Sequence, residues 1–326
     1  MQRPVELERP ASGSAISGWI DACLYLLAVS VLNIAYTAAS AWGAHVVVFI
    51  LYSMLASSGA MLVAGGLGAE PLRIMLARPS WFFGFANIAM EIAYCMTLLT
   101  IAPGAAAVLG RLSIPFALLA GAVFLGRRPR LGIWLSGAII TAGVGLVVAT
   151  LDPVQQGAGI VYGIIGALLI CARAFAIEFH PWNRKARTVR EKLRVTGLVV
   201  LFTGLVGVLL VVATAFLVGL HFLARTELIP GPQDLAHGPT ILFATLVGGI
   251  VFTAMNYMQF SAVVKIRTEN FLAITAFVPI GALLLQLLVA HFGLLAFPPF
   301  DWQMLPGMAL VVSGVLLLIR AQARTL

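Results

Sequence analysis

The sequence predicts an all-α polytopic membrane protein with ten transmembrane helices, arranged as two inverted five-helix repeats. Three observations support this fold class: an apolar composition, ten long apolar runs, and basic residues confined to alternate loops. Of the 326 residues, 61% are hydrophobic and only 10% are charged, whereas a soluble domain carries about 25% charged residues. Because no soluble fold could bury this much apolar surface, we expect lipid to surround most of the chain.

Ten apolar runs are each long enough to cross a bilayer, which takes roughly 17–25 helical residues. Runs this continuous exclude barrel strands, so each is expected to form a helix that bonds its own backbone groups. The first run ends in a small-residue stretch that resembles a signal-peptide cleavage site, but it is long and carries Asn33 and Tyr36, which favours a retained helix. We predict helices over 19–41, 44–66, 81–100, 103–125, 131–149, 158–179, 195–219, 239–260, 269–292 and 302–319.

Basic residues give the orientation. With the N-terminus in the cytoplasm, the cytoplasmic segments hold all but three of the 20 Lys and Arg residues. The exceptions are Arg111 and Arg173 within helices and Arg225 in an outer loop. This is the positive-inside distribution, and it requires an even number of crossings. We therefore predict cytoplasmic tails over 1–18 and 320–326, and we attribute the net charge of +8 to topology rather than to nucleic-acid binding.

A weak internal repeat relates the two halves, which we place at 19–150 and 158–319. The fourth helix reads RLSIPFALLAGAVFLG and is followed by LSGAIITAGVGLVV; the ninth reads AITAFVPIGALLLQLL and is followed by LPGMALVVSGVLLL. Pro115 thereby matches Pro279, and Gly143 matches Gly314. Five helices per half is an odd number, so the copies cross the membrane in opposite senses, as in many secondary transporters.

These features resemble the drug/metabolite transporter superfamily, specifically its EamA-type members. The resemblance covers nearly the whole chain and rests on the helix count, the inverted repeat, the two mid-helix prolines and the glycine-rich fifth and tenth helices. It implies export or exchange of small metabolites by alternating access in a bacterial inner (plasma) membrane. One departure stands out: relatives often carry Gly-Glu at the end of the fourth helix, whereas here Arg127 follows Gly126.

Glu91 and Arg111 are two charges deep within apolar runs, where a charge costs roughly 2.5–3.5 kcal/mol. Glu91 lies about 13–14 Å below the outer end of its helix and Arg111 about 12 Å below the outer end of the next. Because these helices form a hairpin, we expect the two charges to pair, either as a substrate site or as a static brace. Aligned on the prolines, Arg111 corresponds to Thr275, so the second half carries no matching charge.

Polar stripes on three helices predict the rest of a shared polar chamber. Asn87, Glu91 and Tyr94 lie on one face of the third helix, since their spacing follows the helical repeat. Polar stripes in lipid-embedded helices point inward, although such residues also bond simply to a neighbouring helix. The predicted substrate-binding residues are Glu91, Arg111, Asn33, Tyr36, Asn87, Tyr94, Asn256 and Tyr257.

Two other charged positions favour structural roles. Arg173 is a candidate for a second cation of the cavity, but a snorkelling role or a pairing, for example with Glu178, is favoured. Glu269 is expected to be a first-turn charge of the ninth helix. Metal-ligand spacing, phosphate loops and catalytic motifs are absent from the sequence, so we predict no enzyme activity, no cofactor and no metal.

The sequence thus favours a secondary transporter of small metabolites, such as amino acids or other zwitterionic or amphiphilic compounds. Glu91 would bind a substrate amine and Arg111 a carboxylate. The alternatives are a membrane-embedded enzyme or flippase acting on lipid-linked substrates, and a non-transporting subunit. The expected partners are a small-molecule substrate and the lipid bilayer, with a homodimer compatible with the sequence and nucleic acid excluded.

Overall fold

A computed structural model describes residues 12–295 and 302–323, and within these ranges the secondary structure is helical, with no strand. Nine of the described helices are long and apolar enough to cross a membrane. We number the principal helices α1 Ser12–Ala41, α2 Val46–Gly65, α3 Arg78–Leu98, α4 Pro103–Leu125, α5 Leu131–Ala149, α6 Pro153–Glu178, α7 Val189–Gly219, α8 Gly238–Thr275, α9 Val278–His291 and α10 Leu305–Ala323. Of these, α9 is the one below that length.

The predicted runs and the helices agree in order and in approximate bounds. α1 begins at Ser12, inside the predicted cytoplasmic tail, and α10 continues to Ala323. The remainders of the two predicted tails, at 1–11 and 324–326, lie outside the described residues, as does the loop at 296–301. Short helices at Pro71–Met75, Pro181–Lys185 and Pro232–Leu235 lie in the connections.

Local sequence explains where several helices begin and end. Asp152 caps α6 by accepting a hydrogen bond from the Val154 backbone N–H at 2.8 Å. Thr188 and Glu191 form a reciprocal capping box at the start of α7, which satisfies backbone donors that lack an intrahelical acceptor. Gly126 ends α4 in the left-handed conformation, with φ 62°, which glycine adopts without steric cost.

α8 contains a reversal at Arg267, whose φ of 67° and ψ of 162° interrupt the helix. The contacts that α8 makes with α1 change direction at this residue. Before Arg267 they run down α1, and after it they run back up. In order along α8, these contacts are Phe243 with Trp42, Phe252 with Tyr36, Lys265 with Asp21 and Phe271 with Tyr25. The next helix, α9, continues in the same direction, with Gly281 next to Ser30. The sequence predicted two helices separated at 260–269, and a single residue makes the turn.

Four pairs of helices make the most extensive contacts: α5 with α10, α2 with α7, α3 with α6, and α1 with α8. Small residues permit the closest of these approaches. A Cβ on Gly143 of α5 would lie 2.7 Å from the Gly307 carbonyl oxygen of α10, and a Cβ on Gly307 would lie 2.7 Å from the Gly143 carbonyl oxygen. The backbones therefore touch, as is typical of small-residue interfaces between membrane helices.

Connections that carry basic residues gather at one end of the bundle, which we call the basic end. Arg73 lies over the ring of Trp182 at 5.7 Å, joining the connection after α2 to the one after α6. Arg194 at the start of α7 donates to the Gly65 carbonyl oxygen at the end of α2. The opposite end holds the connections at 42–45, 99–102 and 220–237, where His45 bonds to the Thr226 carbonyl oxygen.

Candidate functional site

A buried polar network joins α1, α3 and α6 in the middle of the bundle. Nη1 of Arg173 donates to Oδ1 of Asn87 at 2.7 Å and lies 3.4 Å from Oε1 of Glu91. Nη2 of Arg173 donates to the Tyr25 hydroxyl at 3.0 Å. The Tyr36 hydroxyl donates to Oε2 of Glu91 at 2.6 Å. Both oxygens of the Glu91 carboxylate are therefore engaged within the protein.

The predicted pairing of Glu91 with Arg111 is wrong, because the ion-pair partner of Glu91 is Arg173. α3 packs along α6, with Gly159 and Gly166 of α6 facing Ile101 and Ala93, whereas α3 and α4 make few contacts after their hairpin turn. The position of Arg173 along antiparallel α6 brings its guanidinium to Asn87 and Glu91. Level depth on adjacent helices therefore did not produce a contact.

The snorkelling and the pairing with Glu178 that were predicted for Arg173 are also wrong. Arg173 is only 2% exposed, so it does not snorkel. Glu178 instead binds Arg127, with 2.5 Å between Nη2 of Arg127 and Oε1 of Glu178. Glu269 binds the Nη1 atom of the same Arg127. Arg127 thus joins the ends of α4 and α6 to the start of the segment after Arg267.

Arg111 hydrogen-bonds two main-chain carbonyls and no side chain among the described residues. Its Nε donates to the Ala107 carbonyl oxygen at 3.0 Å, within α4, and its Nη1 donates to the Thr275 carbonyl oxygen. Thr275 lies four residues before Pro279, which has no N–H and so leaves that carbonyl without an intrahelical donor. Arg111 itself lies four residues before Pro115, in a short 3₁₀ turn at Gly110–Leu112.

Two cavities adjoin the network and share Tyr36. The central cavity, of about 50 Å³, is lined by three buried charged residues, Glu91, Arg111 and Arg173. The outer cavity, of about 240 Å³, lies towards the end of the bundle opposite the basic end. Its lining consists of Tyr36, Thr37, Ala39, Ser40, Ala41, Ala44, Val46, Phe49, Cys95, Leu98 and Leu99. The Tyr36 ring packs edge-on against Phe49 and Phe252 at 6.0 and 6.3 Å between centroids.

Most, but not all, of the predicted site residues come together. Asn33, Tyr36, Glu91, Tyr94 and Arg111 line the central cavity, and Asn87 supports it through Arg173. Asn256 is fully buried but neither lines the cavity nor makes a hydrogen bond among the described residues. Tyr257 is only half-buried and also lies outside the lining of the central cavity, to which Met255 is the α8 residue nearest in sequence that contributes.

Two residues that the prediction did not place in the site belong to the network. Tyr25 lies on the stripe of α1 that includes Val29, Asn33 and Tyr36, so helical spacing extended by two turns would have found it. Arg173 is a charge within an apolar run, the same signal that selected Glu91 and Arg111.

Ion pairs join several helices at the basic end. Besides the contacts of Arg127, the Thr268 N–H donates to Oε2 of Glu178 at 3.1 Å. Nζ of Lys265 lies 2.7 Å from Oδ2 of Asp21 and donates to the Ser17 hydroxyl at 2.5 Å. Burial opposes the charge on Arg127, but the carboxylates of Glu269 and Glu178 outweigh it and raise the pKa of Arg127. These contacts close this end around the start of α1.

The described residues contain no group of three or more His, Cys, Asp or Glu side chains arranged to hold a metal ion. Their three cysteines are free thiols, with Cys95 and Cys171 buried and Cys23 exposed on α1.

Comparison with known proteins gives information on the fold. No protein-family model and no curated protein matches the chain. A solved structure described only as the crystal structure of a protein matches with a TM-score of 0.59 and 17% sequence identity, over 96% of this chain and all of that one. At this identity the similarity shows a shared fold over nearly the whole chain. The protein is a polytopic helical membrane protein.

Proposed function

We propose that the protein is a secondary transporter that exports or exchanges small metabolites by alternating access. The observation that carries this proposal is the chamber of Glu91, Arg111 and Arg173, buried in the middle of a bundle whose surface is apolar. Charged residues are costly within a membrane and mark substrate or ion pathways when they face an interior cavity. A protein serving only as a membrane scaffold would gain nothing from three such charges.

We propose ten crossings, one more than the nine that follow from treating α8 as one span and α9 as too short. The reversal at Arg267 supports this count, because it divides α8 into a descending segment and an ascending one. The ascending segment continues through α9 with only a short irregularity at Ala276 and Phe277. Together residues 268–291 are long enough to cross, within the range that a bilayer requires.

We propose that the crossings form two inverted repeats, in the manner of EamA-type drug/metabolite transporters. The packing pairs support this arrangement. In such a repeat, α3 of the first half corresponds to α8 of the second, and α1 corresponds to α6. The α3–α6 pair therefore corresponds to the α8–α1 pair, and both pairs are among those with the most extensive contacts. The pairs α5–α10 and α2–α7 each join two corresponding helices, one from each half. The reciprocal contact of Gly143 with Gly307 lies in the α5–α10 pair.

Alternating access requires that the site open to one side at a time. The outer cavity extends from Tyr36 towards one end, while the ion pairs of Arg127 and Lys265 hold the basic end together. By the positive-inside rule the basic end and both termini are cytoplasmic, in a bacterial inner membrane. We propose that this conformation is closed to the cytoplasm.

Transport by the purified protein tests the proposal. A thermal-shift screen with amino acids, carboxylates, amines, nucleosides and sugars selects ligands, and each ligand is then assayed by counterflow in proteoliposomes. Saturable counterflow absent from protein-free liposomes supports a transporter. If no ligand is moved but a fluorescent lipid is translocated between leaflets, the flippase alternative replaces it.

A further inference from the structure

We infer that the substrate is an organic monoanion, a carboxylate joined to an apolar body, and that Arg111 binds its carboxylate. The inference rests on the proposed function, because it names the substrate class of the same central site. It differs from the expectation of a zwitterion, which required Glu91 to be free to receive an amine.

The charge of the central cavity is positive whatever the protonation of Glu91. Its lining includes two arginines, Arg111 and Arg173, and one carboxyl group, Glu91. With Glu91 ionised the balance is two positive charges and one negative, or +1; with Glu91 protonated it is +2. Arginine stays protonated in proteins. The cavity therefore lacks one negative charge, which a bound anion would supply.

Both oxygens of the Glu91 carboxylate already accept hydrogen bonds within the internal network, so a ligand amine would compete for them. Oε1 faces Arg173 and Oε2 accepts from the Tyr36 hydroxyl. An ammonium group at Glu91 would lie beside the guanidinium of Arg173, which Asn87 and Tyr25 hold in place. A positive ligand group would then lie in a cavity that already has a positive excess. The site is thus unfavourable to amines and to the amine of a zwitterion.

Arg111 is the charge that remains to bind a ligand. No carboxylate of the described residues lies within 4.0 Å of its nitrogens, and its Nη2 atom makes no hydrogen bond among them. The carbonyls of Ala107 and Thr275 fix the Nε and Nη1 side of the guanidinium but carry no net charge. Nη2 therefore retains donors for a carboxylate, for which charge-assisted hydrogen bonds are strongest.

The sizes and linings of the two cavities define the rest of the ligand. The central cavity, about 50 Å³, accommodates one small polar group, since one water occupies about 30 Å³ in the liquid. The outer cavity is about 240 Å³ and is lined mainly by apolar side chains, among them Val46, Phe49, Leu98 and Leu99. A carboxylate on Arg111 with an apolar body directed towards the outer cavity matches the linings of both, and the Tyr36 ring, which lines both cavities, lies between the two parts of the ligand.

The test uses four compounds of one 4-methylpentane skeleton that differ in their charged groups: 4-methylpentanoate, 4-methylpentanamide, leucine and 4-methylpentylamine. Each is titrated against purified protein with thermal unfolding as the readout, for wild type, Arg111→Gln, Arg111→Lys and the control Arg128→Gln, whose side chain is exposed at the basic end. We expect the carboxylate to bind at least tenfold more tightly than the other three. Arg111→Gln should weaken it by about ten- to a hundredfold, the range for a charge-assisted hydrogen bond.

Arg111→Lys keeps the charge and should retain part of the affinity, and Arg128→Gln should match wild type. The inference is overturned if leucine or the amide binds as tightly as the carboxylate, if none of the four binds, or if Arg111→Gln folds and binds the carboxylate like wild type. If Arg111→Gln does not fold, the comparison of the four compounds on wild type decides. Counterflow of leucine but not of 4-methylpentanoate would refute the anionic substrate class and support the transporter proposal. Binding of 4-methylpentanoate without counterflow of any ligand would support the anion-binding site and refute the transporter proposal.

Discussion

The guanidinium of Arg111 on α4 donates to the main-chain carbonyl oxygen of Thr275, four residues before Pro279. Proline removes the donor that would otherwise satisfy that carbonyl. Arg111 likewise lies four residues before Pro115, so the two residues occupy equivalent positions in the proposed internal repeat. A charge from one half thus satisfies the helix irregularity of the other, and it does so at the wall of the central cavity.

Restoring the missing donor should uncouple these residues. In Pro279→Ala the new N–H can bond the Thr275 carbonyl within the helix, so Arg111 is no longer needed there. We expect Arg111→Gln to cost about 1–2 kcal/mol less stability in the Pro279→Ala background than in wild type. Chemical unfolding of the four proteins in detergent measures this coupling. Pro71→Ala, in a short helix at the basic end, is the control; coupling of equal size with it would contradict the contact.

Glu91 should be coupled energetically to Arg173 and not to Arg111. Removing one partner of a buried ion pair leaves an uncompensated charge and costs about 3–5 kcal/mol. We therefore expect Arg173→Gln to be strongly destabilising and Glu91→Gln/Arg173→Gln to be less so than the sum of its single changes. Double-mutant cycles by thermal unfolding provide both couplings. A coupling energy between Glu91 and Arg111 as large as that between Glu91 and Arg173 would contradict this result and support the Glu91–Arg111 pair predicted from the sequence.

The ion pairs of Arg127 should keep the basic end closed. Thr268 is buried and its N–H bonds to Glu178, so Thr268→Cys in a cysteine-free background reports access from that end. Loss of the charge-assisted contacts in Arg127→Gln, at about 1–2 kcal/mol, should raise the rate of labelling by a membrane-impermeant thiol reagent about five- to thirtyfold. Arg128→Gln is the matched control. Equal labelling rates in all three backgrounds would show that these contacts do not limit access.

His180, which lies outside the membrane spans, should make stability depend on pH. Its Nδ1 accepts from the Asn183 N–H and its Nε2 lies 3.0 Å from the Ser80 hydroxyl oxygen. Burial lowers the pKa of His180 to about 4, whereas an unfolded histidine has a pKa of about 6.5. The stabilisation is complete above pH 6.5 and falls by about 1.4 kcal/mol per pH unit towards pH 4, because the unfolded chain alone binds the proton.

Unfolding measured between pH 7.5 and 4.5 checks this dependence. His180→Gln should flatten the profile, while His291→Gln, at an exposed helix end, should leave the wild-type slope. A profile that is unchanged in His180→Gln would place the titrating group elsewhere.

Apolar runs and spacing predicted most of the fold and about half of the chamber. Hydropathy located the helices because lipid requires long apolar segments, and stripe spacing placed Asn33, Tyr36, Asn87, Glu91 and Tyr94 in or beside the cavity. The depth of each buried charge in the membrane could be predicted from the sequence, because the rise per residue of an α-helix is constant.

The hydrogen-bond and ion-pair partners of these charges could not be predicted from the sequence, because they depend on which helices pack together and on how each helix is rotated. Arg173 and Glu91 meet through contact of α3 with α6, which are not neighbours in the sequence. The turn at Arg267 has no glycine or proline signal, although a positive φ is uncommon for other residues. Asn256 and Tyr257 were selected, like Asn33 and Tyr36, as polar residues within an apolar run, yet neither lines the cavity.

Counterflow in proteoliposomes is the most direct test of transport through the central site. Liposomes containing wild-type protein and an excess of unlabelled 4-methylpentanoate should transiently accumulate the labelled compound. Those containing Arg111→Lys should accumulate less, and those containing Arg128→Gln should match wild type. If wild-type protein moves neither this compound nor any ligand from the thermal-shift screen faster than protein-free liposomes, the transporter proposal is contradicted.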